Sequence, residues 1–209
     1  RAAYANIYKL YGWLLPRACW LNIRPDSDIC KYESFPMNAV AQTYALLREL
    51  GRRLRERTLD IPVFTAASLE DTTVDVNATL AFMARARHAD NRMVLYSAHA
   101  PHALEGIPAD RVEWVNSAMP ERRILGSAHI AIMVPPEDAH YGAAGEYANC
   151  LHYYPNDIGQ YAACLSSLAG EVNWGEATAE NLRQGLMRRL TYNPHYAELE
   201  ASIARWLAR

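Results

Sequence analysis

The chain has 209 residues, 51% of them apolar and 21% charged, with a formal net charge of -2. That length allows one good-sized domain, or a domain plus a lid, with enough chain to bury a core. The composition excludes a disordered chain, and the near-neutral balance gives no reason to expect nucleic acid or an anionic membrane as the main partner.

The chain opens as Arg1-Ala2-Ala3-Tyr4 without an initiating Met, and is expected to be a fragment or to lack its front. No secretory leader is visible there. No apolar stretch approaches the roughly 20 residues that span a bilayer. A cytoplasmic protein without a transmembrane segment is the expectation. Tyr4, Ile7, Tyr8, Tyr11, Leu14 and Leu15 share one helical face, so residues 4–21 read as a docking or lid helix. A polar loop follows at Arg24-Pro25-Asp26-Ser27-Asp28. Phe35-Pro36 then opens the clearest helix, with Pro36 suited to a first helical position. Met37, Val40, Tyr44, Leu47 and Leu54 form its apolar face. Arg48, Arg52, Arg53, Arg55 and Arg57 lie opposite. Glu49 and Glu56 interleave with them, which favours a solvated face over a phosphate site.

Asp60 to Ala67 reads as a strand, and its near-continuous hydrophobicity suggests burial on both faces, as in a parallel sheet. Asp75 is placed to cap a helix carrying Val76, Leu80 and Met83 on its inner side. Arg92 to Ser97 is the next strand, completing a βαβ unit. Pro101, Gly106, Pro108 and Pro120 break up residues 98–121, which read as an edge insertion with a short strand at Val112 to Val115. Arg123-Ile124-Leu125 reads as a strand-like lead into a turn at His129. Residues 139–174 read as an ordered excursion with helical pieces. Two helices are expected to close the chain. One starts near Thr178 and carries Leu182, Leu186 and Leu190. The other follows Asn193-Pro194 and carries Leu199, Ile203 and Trp206. Cys19, Cys30, Cys150 and Cys164 read as half-buried free thiols, because their spacing fails zinc patterns and even counts in long chains are weak evidence for disulfides.

Two residues carry the candidate chemistry. Asp71 stands just past a buried strand, where α/β folds place their sites, and a carboxylate there can orient a histidine and stabilise its imidazolium. The blander role, an acid near a helix N-terminus, suits Asp75 better. His129 follows the small residues Ser127 and Ala128, which let its ring enter a crevice. His99, in Ser97-Ala98-His99, is its rival. His99 and His102 form His-x-x-His, but no third ligand frames a metal site, and no metal is expected. A serine hydrolase with its acid and base on turns of an α/β sheet needs its nucleophile on a strained Gly-x-Ser-x-Gly turn, and none exists here. Ser166-Ser167 lacks the first glycine and a preceding strand, and Cys150 lies only two residues before His152. Gly-x-Gly-x-x-Gly and Walker-type loops are equally absent, so no cofactor is expected.

Lys31-Tyr32-Glu33-Ser34-Phe35-Pro36-Met37-Asn38-Ala39 resembles the lid-to-core connection of bacterial α/β-hydrolase-fold proteins of the lysophospholipase and carboxylesterase kind. So does Ile61-Pro62-Val63-Phe64 with Glu70-Asp71-Thr72-Thr73-Val74-Asp75. Ser127-Ala128-His129-Ile130-Ala131 looks like that family's terminal histidine turn, and Tyr141-Gly142 to Cys150-Leu151-His152-Tyr153 like a subgroup extension. The resemblance covers nearly the whole chain but only the later part of the family's fold. It implies an α/β protein: a helical lid segment over residues 1–57, then the C-terminal half of an α/β-hydrolase core over residues 58–209. It implies Asp71 as triad acid and His129 as triad base, with the serine on a missing N-terminal half. The intact protein is then expected to be a serine hydrolase acting on a small-molecule ester or lipid-like substrate, and this chain alone to be inactive. The alternative is a non-catalytic module that binds a partner or apolar ligand through the surface its missing half would have covered.

Overall fold

The computed structural model describes residues 6–57 and 59–208. The chain separates into two compact units, Arg1–Thr58 and Leu59–Arg209.

The first unit contains α1 (Tyr8–Tyr11), a 3-10 turn at Pro16–Cys19, β1 (Trp20–Asn22), β2 (Phe35–Pro36) and α2 (Met37–Glu56). The long helix expected over residues 4–21 is corrected. Tyr4 lies outside the described residues, and α1 is a single turn that stops before Gly12. Pro16 has no N–H to continue a helix and instead starts the 3-10 turn. Pro36 is likewise extended (φ -78°, ψ 147°) and precedes α2 rather than entering it, because β2 pairs antiparallel with β1. Ala41 is the buried apolar side chain of this unit among the described residues, while Leu10, Trp13, Leu14, Leu46, Leu47 and Leu50 are exposed. On the polar face of α2, Arg52 meets both Glu49 and Glu56 at 2.7 Å, and Arg53 meets Glu49.

The second unit is built on a parallel sheet in the order β3 (Phe64–Ser68), β4 (Arg92–Ser97), β5 (Val112–Asn116). The side chains of β4 alternate between two covered faces, as a strand's period of two requires. Val94 and Tyr96 pack with Val115, Ile132 and Leu199. Met93 and Leu95 pack with Met83 of α3 (Val76–Arg85) and with Ile107. Asp75 caps α3 by accepting the Asn77 N–H, a contact of about 1 kcal/mol. After β5 come α4 (Ile158–Ser166), β6 (Asn173–Gly175), α5 (Ala179–Leu182), β7 (Met187–Arg189) and α6 (Tyr196–Leu207). Leu199 and Ile203 of α6 cover the first face of the sheet, and α3 covers the second. The fold is therefore mixed α/β, with a three-stranded parallel sheet between helices.

Several expectations change here. The strand after Asp60 starts only at Phe64 and is half-buried, because β3 lies at the sheet edge; β4, in the centre, is the buried strand. Val112 to Asn116 is the third sheet strand. Ile124 makes only isolated bridges, to Met119 and Trp174, so His129 does not follow a regular strand. The helix expected through Leu190 ends at Leu182, and its continuation turns into β7, which pairs parallel with β6. Cys150 and Cys164 are not free thiols but a buried disulfide; Cys19 and Cys30 are free. Among the described residues no helix is long and apolar enough to cross a membrane.

Two stability predictions follow from these contacts. The Arg52 and Arg53 guanidiniums hold Glu49 down at about 2 from its ordinary 4.5. A lowered folded-state value stabilises above the unfolded value and is lost as pH falls through the folded one. The melting difference between the native chain and Glu49→Gln should therefore close as pH drops from about 4.5 to about 2, and shrink in 1 M salt. Thiol titration of the denatured, unreduced chain should find Cys19 and Cys30 alone. A Cys150→Ala, Cys164→Ala chain should lose about 3 kcal/mol in denaturant unfolding, the loop-closure value for a bridge 14 residues apart.

Candidate active site

The site stands at the carboxyl end of the parallel sheet, where strand ends and loops leave room for polar groups. β3 ends at Ser68 and turns sharply. Asp71 Oδ1 accepts the N–H groups of Thr73 (2.7 Å) and Val74 (2.9 Å), an Asx turn that orients the carboxylate. Asp71 Oδ2 then lies 2.7 Å from His129 Nδ1. A carboxylate is the acceptor in this bond, so Nδ1 carries a proton, and in the neutral ring the lone pair then sits on Nε2. The Asp71 side chain is 9% exposed and that of His129 38%. The acid is shielded while over a third of the His129 side chain remains accessible. Together they line a cleft of about 520 Å³ with Phe64, Val74, Ile132 and Met133.

Two glutamates that sequence reasoning did not single out, Glu70 half-buried and Glu176 fully buried, assemble this arrangement. Glu70 ties the three strand ends together. It accepts the Ala98 N–H just past β4 at 2.8 Å, the Ser68 hydroxyl of β3 at 3.1 Å and the Ser117 hydroxyl after β5 at 3.4 Å. Glu176 lies 0% exposed and accepts the His129 N–H at 3.1 Å, the Thr72 hydroxyl at 2.9 Å and the Ala177 N–H at 2.9 Å. Arg189 Nη2 lies 2.8 Å and 2.9 Å from its two oxygens and also donates to the Thr73 hydroxyl. The residue before Glu176 is Gly175, at φ +152°, where a Cβ would come within 3.3 Å of the Gly126 backbone. A glycine preceding a glutamate, far from either turn, is too common a pattern to flag this role in the sequence.

His99 is not the partner of Asp71. Its backbone N–H is taken by Ser97 Oγ, and it lines a second cleft with Glu70, Asp71, Asn181 and Gln184. His102 packs its ring against Trp114, so the His-x-x-His pair gathers no third ligand among the described residues. The rival nucleophiles are occupied elsewhere. Ser166 and Ser167 both donate to the Ala163 carbonyl near the end of α4, and Cys150 is in the disulfide. Among the described residues no hydroxyl or thiol is bonded to the His129 ring.

Leaving Glu176 buried without its counter-charge should be costly. Arg189→Met should destabilise the chain by about 3 kcal/mol or more in denaturant unfolding, and a cost below about 1 kcal/mol would show that the pair is not internally compensated. Gly175→Ala should cost about 1–3 kcal/mol by the same measurement, since alanine is strained at that φ. Comparison of the chain with models of known protein families finds no match, and no curated protein or solved structure matches it either.

Proposed function

We propose that this chain supplies the acid and the base of a serine hydrolase acting on carboxylic esters, with Asp71 and His129 in those roles. The observation that carries the reading is the 2.7 Å bond between a shielded Asp71 carboxylate and His129 Nδ1, with the partly exposed His129 side chain lining an apolar cleft. In the proposed reaction a serine from outside these 209 residues attacks the ester carbonyl, and His129 Nε2 takes its proton. The proton then passes to the leaving alcohol, Asp71 stabilises the imidazolium throughout, and water resolves the acyl-enzyme. Phe64, Ala66, Val74, Ile132, Met133 and Ile203 along the cleft support an apolar, lipid-like acyl group.

The open edge of β3 supports a completing segment. Val63 O and Leu69 N bond towards β4, so by alternation Phe64 and Ala66 turn their backbone groups the other way. No backbone bond meets them there among the described residues. An exposed edge of this kind is a template for another strand. The same observation supports the second reading, a module without catalysis that binds an extended partner by strand addition. The buried disulfide favours an oxidising compartment over the cytoplasm for either reading.

Labelling of the full-length gene product by a fluorophosphonate tests the first reading. The label should fall on a serine, and Asp71→Asn or His129→Ala should each slow labelling at least about 1000-fold. Labelling at native rate in both variants would remove the triad assignment. No labelling of the native product, with a strand-forming partner retained on β3, would favour the second reading.

A further inference from the structure

We propose that Glu176 is a positioning residue for the Asp71–His129 pair, acting through its charge to keep both turns in the register that leaves the His129 proton on Nδ1. The purpose of that register rests on the hydrolase reading above; the geometry does not. Asp71 and His129 stand 58 residues apart in the chain, and the bond between them joins two side chains, one of them over a third exposed. Such a bond does not fix its own partners, because a short slide of either turn would break it.

Glu176 meets both turns from behind. One oxygen accepts the Thr72 hydroxyl, next to Asp71, and the other accepts the backbone N–H of His129 itself. Arg189 closes the bridge by bonding Glu176 and the Thr73 hydroxyl together. The acid turn is thus gripped at two consecutive threonines and the base turn at the base's own amide. Glu176 neither bonds the imidazole nor lines the cleft, so it acts through others. Its charge matters for a specific reason. Both oxygens must accept, since every neighbour is a donor: Thr72, His129 N, Ala177 N and Arg189. A glutamine of the same size would turn one acceptor into a donor facing a donor, and would leave Arg189 without its counter-charge.

The readout is the tautomer of His129, followed by imidazole ¹⁵N shifts in the histidine-labelled 209-residue chain and assigned by its loss in His129→Asn. The native chain should show the Nδ1–H form. Glu176→Gln should shift the ring towards the Nε2–H form that free histidine prefers, while Glu176→Asp retains more of the Nδ1–H signal. A purely structural glutamate would lower melting temperature and leave the tautomer of the folded fraction unchanged. Should Glu176→Gln fail to fold, Thr72→Val, at an exposed position, carries the same test with a smaller shift. A folded Glu176→Gln or Thr72→Val chain with the full Nδ1–H signal overturns the inference alone. A native chain without that signal overturns the Asp71–His129 pairing and the hydrolase reading with it.

Discussion

A carboxylate with no access to water has to have its charge answered inside the protein, and for Glu176 the answering groups come from four separate places in the chain: Thr72, His129, Ala177 and Arg189. Burying that charge is worth its cost only if all of these donors converge, so the histidine turn, the acid turn and β7 adopt one relative arrangement. The Asp71–His129 bond then forms between turns already held in place. In this sense the visible pair is the outcome of a less visible constraint. The backbone conformation of Gly175 and its close approach to Gly126 belong to the same constraint, since they let β6 deliver Glu176 behind the histidine turn.

Glu70 solves a related problem on the sheet itself. The carboxyl ends of parallel strands leave backbone N–H groups and turn hydroxyls in want of acceptors. A single side chain on the turn after β3 takes Ala98 N and the Ser68 and Ser117 hydroxyls. Ser68 also lies 3.3 Å from the Ser127 carbonyl, so the strand end is coupled to the histidine turn by a second route. Rigid elements thereby carry a site that is otherwise all loop, which is how precise geometry is maintained on irregular backbone. The cleft above it is apolar on one side because β3 and α6 contribute Phe64, Ala66 and Ile203, and polar at its end because both turns converge there.

Local signals were legible in the sequence wherever a residue's own neighbours decide its conformation. Asp75 caps a helix because its side chain needs only the amide two residues on. Arg92 to Ser97 is a strand with the bounds its apolar run suggests, because the sheet centre selects for that composition. Asp71 and His129 were also legible as candidates, and the structure joins them by a hydrogen bond, while His99 shares only a cleft with Asp71. Periodicity alone misleads across Gly12 and Pro16 and from Thr178 to Leu190. In the first case backbone chemistry stops the helix. In the second, pairing with β6 outweighs the leucine spacing.

The sequence by itself determined the α/β character of the second unit, the cap and core of α3, and the residue types able to act as acid and base, since each depends on contacts a few residues long. Only the tertiary structure decided that Cys150 meets Cys164, that β3 is an open edge, and that Glu70 and Glu176 stand behind the site. These features depend on groups that are distant along the chain, and the free energy of burying a charge or closing a bridge is set by which distant partners arrive, which no local pattern records.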